Sequence, residues 1–216
     1  MTKWHMFLKR KWSRLNKDLI LKYLGYRKSM PDAMTEKLID ECILEVKSIS
    51  KFKYIYQEFK EPLPFMLENE GYMKYLSGAT SYLLVATTLG IDVDRRLSLY
   101  EKTDMTKSVI FDCTASAYIE EMADSYEKNN LPYKNLSYRF CPGYSNTSFL
   151  DNMKIAKYLN VTKYLGISFL SSGLMVPLKS MIGIVGIGNT KRRSCEGCLR
   201  MGKCEYRRDG TVCYKE

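Results

Sequence analysis

The stretch from Met105 to about Lys128 constrains the fold most, because it reads as one long helix that must be covered on more than one side. At 100° per residue, Phe111, Ala115, Tyr118, Ile119, Met122, Ala123 and Tyr126 fall together and form a large core-facing stripe. Val109, Ile110, Cys113 and Ala117 fall opposite, and Glu120 lies in line with them. The first half of the helix is therefore expected to be buried on two faces. The second of those faces is made of small residues ending in a carboxylate. Small side chains leave room, and a glutamate bordering an apolar face is costly unless it finds a partner.

The elements around this helix alternate irregularly. Pro31-Asp32 starts a helix whose Leu38, Ile39, Cys42, Ile43 and Val46 make the stripe of a helix packed on a sheet. Phe52, Tyr54 and Tyr56 alternate with polar residues at the strand period. Pro62-Leu63-Pro64 breaks the chain, and a short helix through Met73 and Leu76 ends at Gly78. Tyr82-Leu83-Leu84-Val85-Ala86 suits a strand covered on both faces. Asp92 opens a charged helix to about Tyr100, and Asp104 or Thr106 can cap the next one. Residues 135–140 look strand-like, 148–159 helical, and 166–170 and 180–187 extended. No regular strand-helix-strand beat appears, so the expected class is α+β: a mixed, largely antiparallel sheet flanked by helices, with a Cys-rich C-terminal tail. The expected division is a basic arm over 1–30, a globular body over 31–190 and the tail over 191–216.

Arg139-Phe140-Cys141-Pro142-Gly143-Tyr144 reads as a ligand-binding turn. Pro142 locks its own φ, and Gly143 can take the positive φ that lets backbone approach a ligand. The planar fork of Arg139 suits a carboxylate. Taken with its flanks, this turn resembles the reactivation domain of cobalamin-dependent methionine synthase, over about Tyr82 to Gly188. The family's Arg-x-x-Pro-Gly-Tyr element stands here as Arg139 to Tyr144, preceded by Glu120 in a helix. The strand Gly166-Ile167-Ser168-Phe169-Leu170 and the Pro-x-x-Ser element Pro177-Leu178-Lys179-Ser180 follow. Leu24-Gly25-Tyr26-Arg27 with Asp32 resembles the stand-alone short members of the family. Two departures stand out: Leu170-Ser171-Ser172 replaces the family's Thr-Glu-Ser, and an N-terminal aspartate that touches the ligand is not identifiable.

That resemblance implies S-adenosylmethionine as ligand and a cobalamin held by a partner. Arg139 is then expected to meet the ligand carboxylate, and Glu120 the ammonium or the arginine itself. Cys141 and Gly143 would offer backbone to the adenosine. Tyr144 would sit at the reacting end, hydrogen-bonded there or with its ring face on the sulfonium. The implied reaction reduces a partner's cobalt(II) corrinoid with an electron carrier and traps cobalt(I) with the sulfonium methyl. No general base or covalent nucleophile is expected, and Cys141 reads as a small filler.

Composition narrows the partners. A chain of 216 residues has one histidine, His5, outside any cobalt-ligating motif, so the corrinoid should belong to another protein. The net charge of +10 sits at the ends. Residues 1–30 hold nine Lys or Arg against one acid, and 191–216 hold eight against four. Basic ends suit an acidic electron carrier such as flavodoxin or ferredoxin; no recognition motif points to nucleic acid. The N-terminal apolar run is too short for a secretory core, no stretch approaches a membrane span, and seven cysteines fit a reducing cytoplasm. Cys195, Cys198, Cys204 and Cys213 form a C-x2-C-x5-C-x8-C pattern that admits zinc, an iron–sulfur cluster or unmetallated thiols. The competing functional reading is a basic metal-binding interaction module that keeps the fold without the ligand.

Overall fold

The computed structural model describes residues 15–26, 29–188 and 201–210. In chain order the elements are α1 (Lys17–Tyr23), α2 (Ala33–Ile49), β1 (Lys53–Phe59), α3 (Pro64–Leu67), α4 (Glu70–Tyr75), β2 (Ala79–Thr88), α5 (Ile91–Thr103) and α6 (Met105–Asn130). There follow α7 (Asp151–Leu159), α8 (Val161–Leu165), β3 (Ser168–Phe169), β4 (Met175–Val176), β5 (Ser180–Gly188) and α9 (Glu205–Arg208). The architecture is α+β, as the irregular order of elements predicts.

The sheet has the order β1-β2-β5, antiparallel throughout, with β2 in the centre. Central position explains the unbroken apolar run of β2. Leu83 and Val85 face Tyr54, Tyr56, Ala123 and Tyr126, whereas Tyr82, Leu84 and Ala86 face the opposite layer of α3, α4, α7 and α8. On the first side the Tyr54 and Tyr126 rings stack at 4.3 Å. A small hairpin, β3-β4, stands apart from this sheet.

The remainder of the core lies around the first half of α6, where Phe111, Ala115, Tyr118 and Ile119 pack against Ile39, Cys42 and Val46 of α2 and Val93 and Leu97 of α5. Asp104 caps α6 by accepting from the Lys107 amide, and Asp32 caps α2 by accepting from the Thr35 amide. The two-faced reading of α6 holds at Ile110 and Ala117, both buried; Cys113 is half-buried and Val109 is 51% exposed. The apolar edge stops there because α5 covers only part of that side.

Three local readings change. Pro64, read as part of a chain break, starts a helix: it occupies the first turn of α3, where a missing amide is harmless. Residues 135–140 run along the free edge of β5 without becoming a regular strand. Bridges form at Leu136–Ile187 and Phe140–Ile184, and between them the Ser137 hydroxyl, not a carbonyl, accepts from the Gly186 amide at 2.8 Å. The arm over residues 1–30 is in part core: Leu15 and Ile20 are buried with α2 and α6, because α1 packs on α6.

Phe111 has no exposed surface and joins three helices. Phe111→Ala is expected to remove about 3–5 kcal/mol of stability, measured by urea unfolding. A loss below about 1 kcal/mol contradicts this packing.

Candidate functional site

Arg139 reaches α6 through a notch in the sheet. A side chain at Gly183 would place its first carbon 2.5 Å from Arg139 Cγ and 2.9 Å from the Phe140 carbonyl, so glycine lets the arginine stem cross β5. At the far side Nη1 donates to Glu127 Oε1 in a very short contact, and Nη2 donates to Asp124 Oδ1 at 3.0 Å. The Tyr54 hydroxyl donates to the same Glu127 oxygen at 2.8 Å. The arginine side chain is 4% exposed and that of Glu127 10%, whereas that of Asp124 is 46% exposed. Burial raises the Glu127 carboxyl against the pull of Arg139. Arg139 stays charged: burial opposes its charge, and Glu127 and Asp124 outweigh it.

The turn after Arg139 has the conformation its residues predict. Gly143 sits at φ +101°, and a side chain built there would meet nothing nearer than Phe149 Cβ at 3.9 Å. A first carbon there would be in ordinary van der Waals contact with Phe149, which packs beside the turn. The Gly143 amide donates to Thr147 Oγ1 at 3.0 Å, and that hydroxyl donates to the Tyr144 carbonyl at 2.6 Å. The Gly143 N–H is thus part of the turn's own bonding. The Tyr144 ring is 65% exposed and meets Phe140 edge-on at 6.3 Å. Cys141 is half-buried; burial raises its thiol and Arg139 opposes the shift, which keeps it a protonated filler.

Glu120 and Arg139 do not converge as expected. Glu120 Oε1 instead accepts from the Tyr23 hydroxyl of α1 at 2.6 Å, and its charge is felt by the Cys141 thiol. The acids that meet the arginine are Asp124 and Glu127, four and seven residues further along the same face of α6. The signal was in the sequence: the spacing i, i+4, i+7 from Glu120 lines up three carboxylates, but all three read equally well as the helix reaching water. Tyr23 gave no signal, because its contact depends on how α1 docks.

The same face of α6 carries a second cation near its start. Lys179 Nζ donates to Asp112 Oδ1 at 2.6 Å and to Ser116 Oγ at 2.8 Å. The Leu178 amide donates to Asp94 Oδ2 at 2.6 Å, which ties this loop to α5. Ser171 lies exposed at the tip between β3 and β4. A cleft of about 380 Å³ opens beside the buried pair, lined by Asp124, Glu127, Lys128, Tyr133 and Tyr138 among others.

Of the tail cysteines, Cys195, Cys198 and Cys213 lie outside the described residues. Cys204 precedes α9, half-exposed and in no disulfide. Among the described residues no group of three or more His, Cys, Asp or Glu is placed to hold a metal ion, and no helix is long and apolar enough to cross a membrane.

No protein-family model matches the chain, and no curated protein matches it. A solved structure does: the MetH reactivation domain bound to AdoHcy, at 15% identity and a TM-score of 0.56, over 90% of this chain and 77% of that one. The likeness is one of fold.

Breaking the buried pair leaves an uncompensated charge. Arg139→Met is expected to lower stability by about 3–5 kcal/mol in urea unfolding, with Gly183→Ala destabilising in the same direction by about 1–3 kcal/mol. Wild-type stability in Arg139→Met would show that the pair is not formed.

Proposed function

We propose that this chain binds S-adenosylmethionine and supports the reductive remethylation of a cobalamin carried by a separate methyltransferase. The observation that carries the reading is the Arg139–Tyr144 turn, with Gly143 at φ +101° and an exposed Tyr144, in a fold shared with a reactivation domain bound to AdoHcy. The ligand would lie along α6 between this turn and the loop at Lys179. Glu120 would face the ammonium, and the exposed ring of Tyr144 would lie against the sulfonium, where an aromatic face attracts a cation.

Arg139 takes a different role from that of a direct contact. Anchored on Glu127 and Asp124, it fixes the turn against α6 so that Cys141 to Tyr144 are held in one conformation. Bound S-adenosylmethionine would supply the methyl group, and the chain would supply orientation. The partner in this reading is a cobalamin-dependent methionine synthase or another corrinoid protein. An acidic carrier, flavodoxin or ferredoxin, would deliver the electron and dock on the basic ends.

A second reading is favoured by one observation, the internal occupation of the Arg139 fork: a metal-binding interaction module that keeps the fold and has no ligand, with zinc or an iron–sulfur cluster on Cys195, Cys198, Cys204 and Cys213. Titration calorimetry with S-adenosylmethionine separates the two. Heat saturating at one site per chain is expected, and Glu120→Gln is expected to weaken binding at least tenfold, roughly the value of a charge-assisted bond. No heat from wild type at millimolar ligand would favour the interaction module.

A further inference from the structure

We propose that Lys179, and not Arg139, receives the α-carboxylate of the ligand, an assignment that rests on the S-adenosylmethionine reading above. The terminal nitrogens of Arg139 are both bonded to carboxylates, and its side chain is 4% exposed. Its main partner, Glu127, is itself buried and cannot turn to water. Lys179, 12% exposed on its side chain, differs in its bonding. Two of its three ammonium protons are engaged, by Asp112 and Ser116, and Asp112 is 46% exposed on its side chain. A ligand carboxylate can therefore take the place of Asp112, which swings into solvent, while the Ser116 hydroxyl stays.

The row along α6 fits an amino-acid head. Asp112, Ser116 and Glu120 follow one another at four-residue spacing, about 6 Å of helix rise per step. With Lys179 seated over Ser116, the row reads negative, positive, negative. An α-amino acid carries its carboxylate and ammonium on one carbon. A carboxylate at Lys179 thus puts the ammonium within a helical turn of Glu120.

The surrounding charge agrees. The acids next to Lys179 are Asp112 and Asp94, whose Oδ1 is buried with no partner among the described residues. Against Lys179 they leave a negative surplus. That surplus suits a ligand whose ammonium and sulfonium outnumber its one carboxylate. Asp94 has a second part: by holding the Leu178 amide it fixes the loop from which Lys179 reaches Ser116.

Calorimetry with S-adenosylmethionine and with its decarboxylated analogue tests the assignment. Lys179→Met is expected to weaken the first at least about tenfold and to leave the second unchanged. Asp112→Asn, which removes the internal competitor, is expected to tighten S-adenosylmethionine by about three- to fivefold and not its analogue. Equal losses for both ligands in Lys179→Met, or no loss, overturn the assignment while leaving S-adenosylmethionine binding intact. Should that variant fail to fold, Asp112→Asn decides alone, and unchanged affinity overturns the assignment. No binding of either ligand to wild type overturns the assignment together with the reading beneath it.

Discussion

The ion pair between Arg139 and Glu127 is the interaction on which the site depends. It joins the edge segment after Leu136 to the second half of α6, which also meet where Leu136 packs on the cluster of Ala123 and Tyr126. The pair is buried, so its charges must satisfy one another, and Tyr54 and Asp124 complete the bonding. Gly183 is the geometric condition for it, since any side chain there would stand in the path of the arginine. Sheet, helix and turn are thereby locked into one arrangement. A net of this kind specifies geometry more than it adds stability, because apolar replacements of buried pairs often match them in energy.

Much of the fold was legible because it follows from periodicity. The buried stripe of α6, the two-faced burial of β2 and the caps at Asp32 and Asp104 are local consequences of residue type. The site was legible in part. Proline and glycine fix backbone locally, so the turn at Gly143 could be read from six residues. Partner choice could not. Arg139 had three carboxylates on one helix face to choose among, and the register of the edge segment on β5 decided for Asp124 and Glu127 over Glu120. The irregular pairing of residues 135–140 was likewise hidden, because it turns on a single hydroxyl, that of Ser137, standing in for a carbonyl.

The polar face of α6 is better described as a charge row than as an isolated glutamate. Arg139 neutralises its lower end and Lys179 its upper end, which leaves Glu120 between two satisfied cations with a tyrosine as its hydrogen-bond donor. Such a row sets charges of both signs at helical spacing along one face. On the proposed reading, an extended zwitterion with an additional positive centre would satisfy this row better than a neutral nucleoside. On the same reading, the turn at Gly143 and the exposed Tyr144 would meet the far end of the ligand, so head group and reacting end would fall to different loops. The small residues Cys113 and Ala117 keep the floor between them low.

Amide chemical shifts followed during titration with S-adenosylmethionine test the account most directly. Perturbations are expected to cluster on residues 112–120 of α6, on the turn at 141–147 and on the loop at 177–180. Shifts confined to the cleft around Tyr133 and Tyr138, or none at saturating ligand, would contradict it.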